Sequence, residues 1–201
     1  MKNSLIILLF FISGVILGLF HFLPDIMLHN DFSKYALYVL MMLVGISVGS
    51  DKSSWKALIQ YKLKIFLVPL CVIIGSLSGA ALVSVFLPDI KINEVMAVGA
   101  GFGYYSLSSI FITEISGPTL GVIALLSNIM REIITLLSNP LFAKYFGKLA
   151  PIASGGATSM DTTLPIIVKS SGKEYAIISV FSGIVLTILV PFFVTIILKL
   201  F

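Results

Sequence analysis

Charge is scarce in this chain. Aspartate, glutamate, lysine and arginine make up 11% of its 201 residues, against about 25% in ordinary soluble domains. So few charges cannot cover a water-facing surface, which excludes a soluble globular domain. Cysteine is nearly missing: Cys71 lies alone inside an apolar run, cannot pair within the chain, and gives no indication of redox compartment. Its environment reads as that of a small buried residue. Histidine occurs only at His21 and His29, neither in a metal-like cluster. No His-Glu-x-x-His, Gly-x-Ser-x-Gly or P-loop pattern occurs, which disfavours an intramembrane enzyme or an ATP-driven pump subunit and implies no cofactor or metal. The net charge of +4 comes from lysines scattered between apolar runs. No basic face interleaved with aromatics points to nucleic acid.

Apolar sequence is what the chain has in quantity. Hydrophobic residues make up 58% of it, and the mean hydropathy of +1.11 suits a bilayer as solvent. A spanning helix needs roughly 20 mostly apolar residues. Residues 4–23, 35–49, 63–87, 118–142 and 175–198 meet or approach that requirement. Lys2 before the first run imitates a signal peptide, but the run is long and no Ala-x-Ala-like site follows, so it reads as a retained helix. Pro118 suits a helix start. Pro191 lies inside the last run and should kink it. The length suits one transmembrane transporter domain over 1–201.

Two further apolar segments are interrupted. Residues 93–113 centre on Gly99, Gly101 and Gly103, and residues 150–168 on Gly155 and Gly156 beside Thr158, Ser159, Thr162 and Thr163. Glycine is poor in helix interiors, so both segments favour broken or re-entrant backbone. At membrane depth such backbone must be buried in protein or line a watery cavity. Paired interruptions point to a transporter binding site. Close helix packing at small residues is the alternative. The expected architecture is an all-α integral membrane protein, a polytopic helical bundle with two discontinuous or re-entrant Gly-rich segments.

Loop lysines choose between topologies. Lys52, Lys56, Lys62 and Lys64 make the 51–64 loop cytoplasmic by the positive-inside rule. Seven full crossings would put Lys144 and Lys148 outside. Five crossings with two re-entrant segments put Lys144, Lys148, Lys169 and Lys173 inside, and the rule prefers this. The two segments then dip in from opposite faces, as in an inverted repeat. Both topologies place the N-terminus in the cytoplasm and the C-terminus outside.

Intramembrane charge marks the candidate site. Arg131 and Glu132 sit near the middle of the 118–142 run, where a charge costs on the order of 2.5–3.5 kcal/mol on insertion scales. Neighbours in sequence do not face each other on a helix, so they form no simple local ion pair. Helical spacing puts Asn128, Glu132, Thr135 and Asn139 on one stripe. Asp161 is the second acid; unwound backbone beside a carboxylate suits a cation or an ammonium group. Buried acids tend to have raised pKa values, which makes proton exchange near neutral pH accessible. Tyr104, Tyr105, Ser106, Ser108 and Ser109 supply hydroxyls beside the first break; interfacial anchoring is the other reading for the tyrosines. Structural alternatives stand beside these: a buried ion pair for Glu132, plain charge neutralisation for Arg131, and a surface loop for Asp161.

The strings Gly101-Phe102-Gly103-Tyr104-Tyr105-Ser106-Leu107-Ser108, Arg131-Glu132, and Gly156-Ala157-Thr158-Ser159-Met160-Asp161 followed by Thr163-Leu164-Pro165 resemble the lysine exporter (LysO) family of bacterial inner-membrane proteins. Leu43-Val44-Gly45-Ile46 also fits. The resemblance implies export of L-lysine and of the analogue thialysine, with Glu132 and Asp161 as the important intramembrane acids. Longer family members carry an additional membrane region before the part matching Met1 onward, so a small companion membrane chain is expected. One acid would hold an ammonium group while the other takes a coupling proton or cation. Arg131, or the half-helix N-termini beside Gly103 and Gly156, would meet the substrate carboxylate. A cation/proton antiporter and a non-transporting subunit of a two-chain transporter remain the alternatives.

Overall fold

The computed structural model describes residues 65–200 continuously and, before them, positions 9, 13, 14, 16–20, 35, 39, 42 and 46. The expected spans 4–23 and 35–49 and the lysine-rich loop 51–64 therefore lie largely outside the described residues. The chain divides into two compact units, Met1–Val44 and Gly45–Phe201. In the first, the described positions from Leu9 to Leu19 carry helical backbone up to a terminal turn, and Ser13 Oγ donates to the Leu9 carbonyl at 2.7 Å.

The second unit is helical throughout its described length, with turns between helices. Its elements are α1 (Leu67–Ser84), α2 (Ile92–Gly99), α3 (Tyr105–Ser116), α4 (Pro118–Tyr145), α5 (Ala150–Gly155), a 3-10 turn (Gly156–Met160), α6 (Leu164–Ser171), a second 3-10 turn (Lys173–Tyr175) and α7 (Ala176–Leu200). Of these, α1, α4 and α7 are long and apolar enough to cross a membrane, as the hydropathy of 63–87, 118–142 and 175–198 requires. Much of their surface is apolar and faces outward: Leu82 is 70% exposed and Leu137 76%. Water would not tolerate this, whereas lipid solvates it directly. Pro118 occupies the first turn of α4 as expected, where its missing N–H costs nothing. Pro191 lies inside α7, which continues helical past it.

Both Gly-rich segments are broken. The first becomes α2, a turn over 100–104, and α3; the second becomes α5, the 3-10 turn, and α6. The contacts fix how each break is oriented. Val83, Leu87, Ile90 and Val95 line one cavity with Leu120, Ile123, Ser127, Asn128 and Arg131, so α2 packs beside the first half of α4. Asn128, halfway along α4, bonds Gly103 and approaches Ser108, so the turn lies at mid-height. At its far end α3 returns to the start of α4, joined through Gly117. Residues 92–116 thus form two short helices broken beside the first half of α4. The second segment packs against the second half of α4. Ser154 meets Thr135, while Ser170 meets Asn139 and accepts a bond from Lys148 on its carbonyl. Residues 150–171 thus start and finish near the C-terminal end of α4.

The core of this unit collects where the two hairpin tips meet α4 and α7. On α4, Gly121, Ala124, Asn128, Glu132, Thr135, Asn139 and Ala143 are buried at helical spacing. On α7 the buried residues include Ser179, Ser182, Leu186, Val190 and Val194.

Candidate functional site

The two tips touch through their backbones. The N–H of Ala157 donates to the carbonyl of Phe102 at 2.8 Å. Gly103 (φ +93°) and Gly156 (φ +61°) flank this bond in backbone that L side chains rarely adopt. A Cβ on Gly156 would collide with the Phe102 carbonyl oxygen, and one on Gly103 would approach the Gly155 oxygen to 2.9 Å. Phe102 itself has φ +48°; its fully buried side chain packs edge-on against Phe193 at 5.7 Å. A non-glycine residue in that region is held there by its surroundings.

Breaking a helix leaves carbonyls and N–H groups without helical partners, and in a bilayer these must be satisfied inside the protein. Two side chains of α4 do much of this. Asn128 accepts from the Gly103 N–H at 2.8 Å and donates to the carbonyls of Ala124 and Val98 at 2.9 and 3.3 Å. Arg131 donates from Nε to the Ser154 carbonyl at 2.9 Å, from Nη2 to the Ala153 carbonyl at 3.0 Å, and from Nη1 to Ser76 Oγ at 2.9 Å. Its guanidinium therefore caps the negative end of α5 and ties it to α1. The hydroxyls of the second break act likewise. Thr158 donates to the Gly155 carbonyl, Ser159 to those of Gly156 and Ser179, and Thr163 to that of Thr158. Thr158 and Ser159 are buried.

The two acids occupy different surroundings. Glu132 is buried on the α4 stripe, 3% exposed. Asp161 ends the 3-10 turn and is exposed; its carboxylate accepts from the Thr162 N–H at 2.5 Å and the Thr162 hydroxyl at 3.3 Å. Tyr105, at the start of α3, is close enough to feel the charge of both Glu132 and Asp161, and Tyr104 that of Asp161. Both tyrosines and Ser106 are half-buried beside the first tip. Ser108 is buried and donates to the Tyr104 carbonyl at 2.9 Å. Of the residues singled out by sequence, Glu132, Asp161, Tyr104, Tyr105 and Thr162 therefore offer charge or hydroxyls around the tips. Gly103, Gly156, Asn128, Arg131, Ser108, Thr158 and Ser159 build the crossing that positions them.

A cavity of about 480 Å³ lies on the other side of this crossing, between α1, α2 and α4. Its walls are mainly small and apolar, and Ser76, Ser127, Asn128 and Arg131 form its polar lining. Neither acid lines it. Ser76 and Ser154 are contacts that sequence reading missed. Ser76 sits in the small-residue run Gly75-Ser76-Leu77-Ser78-Gly79, the only local sign that another element approaches α1 closely.

The sequence profile of the family described as "Lysine exporter LysO" matches residues 8–198. The "Lysine exporter LysO" of Escherichia coli (strain K12) is 33% identical over 162 residues, which cover 81% of this chain and 53% of that protein. A "Putative lysine exporter" of Haemophilus influenzae is 35% identical over 182 residues, 90% of each chain. The chain thus spans about half the length of the first relative and most of the second. No solved structure matches.

Proposed function

The chain belongs to the lysine exporter LysO family, and from that premise we propose that it carries lysine out of the cytoplasm across a bacterial inner membrane. Analogues such as thialysine would share the route. Lysine adds an ammonium side chain to a zwitterionic backbone, so an exporter must hold a cation where lipid would reject it. In this reading Glu132 and Asp161 share that task around the hairpin tips. One receives the ammonium group and the other a coupling proton or cation. The observation that carries the reading is geometric: Glu132 is buried on α4 between Asn128 and Thr135, which contact the two breaks, and Asp161 caps the second break. Tyr104, Ser106 and Thr162 complete a polar surface there. Both hairpins are re-entrant from opposite membrane faces, with the N-terminus inside and the C-terminus outside. Arg131 organises the crossing, and the site for the substrate carboxylate lies elsewhere around the tips.

The test is export by cells carrying Glu132→Gln or Asp161→Asn. Each change should abolish lysine export while the protein stays inserted and abundant. Normal export by both variants would remove the acids from the mechanism. Running the assay with lysine and with Na⁺, and with and without a co-expressed companion chain, separates this reading from a cation/proton antiporter and from a non-transporting subunit.

A further inference from the structure

The buried stripe of α4 continues past Glu132 toward the end of the bundle that carries Lys148. One turn beyond, Thr135 Oγ1 lies 2.7 Å from Ser154 Oγ of α5. A further turn on, Asn139 Oδ1 accepts from Ser170 Oγ of α6. Lys148 then bonds the Ser170 carbonyl at 2.8 Å in the exposed region beyond. Thr135 and Asn139 are fully buried, so polar groups recur along one helix face at intervals of about 4.5–6 Å from Glu132 outward. The stripe carries more hydrogen-bonding capacity than it uses. On the stripe the buried Asn139 Nδ2 meets no partner among the described residues; the buried Ser171 Oγ of α6 and Ser182 Oγ of α7 are likewise unpartnered on the elements around it. Rotating the Asn139 amide only changes which of its atoms is left over. Pro140 follows Asn139 inside α4 and has no N–H, so the Leu136 carbonyl loses its helical donor at the same level. Buried donors and acceptors in such surplus are what internal water satisfies.

We propose that the Glu132–Thr135–Asn139 face of α4, closed by Ser154 of α5 and Ser170 of α6, is a hydrated path that gives protons access to Glu132 from the Lys148 end of the bundle. The other ionisable groups at its inner end are Tyr105 of α3, Asp161 of the 3-10 turn, and Arg131, whose donors are directed to the α5 carbonyls and Ser76. The Lys148 ammonium stands at the outer end. Water can reach Glu132 along this path without crossing the tips, whose backbones close on each other at Phe102 and Ala157. The use of the path in coupling rests on the transport reading; its hydration does not.

Cysteine accessibility tests the path directly. In a Cys71→Ser background, Thr135→Cys, Asn139→Cys and Ser170→Cys are labelled with a small methanethiosulfonate-ethylammonium reagent, which reacts with the thiolate that a cysteine forms only where water reaches it. Cysteines at Ile134 and Leu137, exposed on the outer face of α4, are the controls. The stripe positions should react at least tenfold faster than the controls when the reagent is added from the Lys148 side. Equal rates at stripe and control positions, or equal reaction from both membrane faces, would overturn the proposal. Asn139→Leu should reduce export at least tenfold at unchanged abundance by drying the path. If that variant does not accumulate, the rates at 135 and 170 still decide. Normal export by Glu132→Gln alongside a reactive stripe would remove the transport role of Glu132 and leave the hydrated path standing.

Discussion

At the scale of single residues, the crossing depends on atoms that are missing as much as on those present. Gly156 sits at φ +61° against the Phe102 carbonyl, so Gly156→Ala introduces both a collision and a backbone strain of about 1–3 kcal/mol. It should lower the melting temperature of the purified protein sharply. Gly75 offers the matched control: it is helical with nothing within 4 Å of a built Cβ. Gly75→Ala should be neutral or stabilising, by up to about 1 kcal/mol from helix propensity. Equal melting temperatures for the two variants would show that the tip contact is unimportant. Arg131 makes a different demand. Three of its nitrogens bond the Ala153 and Ser154 carbonyls and Ser76, a fan that a single ammonium cannot reproduce. Arg131→Lys should therefore destabilise by roughly 1–3 kcal/mol per carbonyl left unsatisfied. Pairing Arg131→Gln with Glu132→Gln should not restore abundance, as it would if the two side chains simply neutralised each other. Protein levels of the single and double variants in membranes read this out.

At the scale of elements, the sequence was most legible where chemistry is periodic. The spacing of Asn128, Glu132, Thr135 and Asn139 puts them on one stripe, and all four are buried on one face of α4. The glycines marked both breaks, and Pro118 marked the start of α4. What stayed hidden were partners without side-chain signatures. Arg131 bonds backbone carbonyls 22 and 23 residues away and a serine 55 residues away; no local pattern announces an acceptor that exists only because a distant helix stops. The hydroxyls of Thr158 and Ser159 read equally well as substrate ligands, and they and that of Thr163 are hydrogen-bonded to carbonyls around the break. Each such bond contributes about 0.5–1.5 kcal/mol. Thr163→Val keeps the side-chain shape and removes one of them. It should lower stability by about that amount while lysine binding, measured by calorimetry on purified protein, stays unchanged. Weaker binding at unchanged stability would move Thr163 from the scaffold into the site.

For the whole molecule, the two hairpins relate charge to topology. In the proposed topology residues 92–116 begin and end beside the first half of α4, which shares a cavity with Leu87, Ile90 and Val95. Residues 150–171 begin and end beside its other terminus, because Lys148 bonds Ser170. With only α1, α4 and α7 running the full length among the described helices, Lys144, Lys148, Lys169 and Lys173 gather at one end. Asp89, Glu94 and Glu114 belong to the segments at the other end. In the proposed topology the positively charged loops stay in the cytoplasm, which would put the Lys148 end inside and the 480 Å³ cavity on the outer side. Were the second Gly-rich segment a full crossing, Lys144 and Lys148 would lie on one face and Lys169 and Lys173 on the other. In the Cys71-free protein, single cysteines at positions 56, 144 and 173 should therefore resist an impermeant maleimide added to intact cells and react after permeabilisation. One at position 91 should react from outside. Reaction of position 144 from outside would break the five-crossing arrangement and favour seven, and the stripe beyond Glu132 would then open to the exterior.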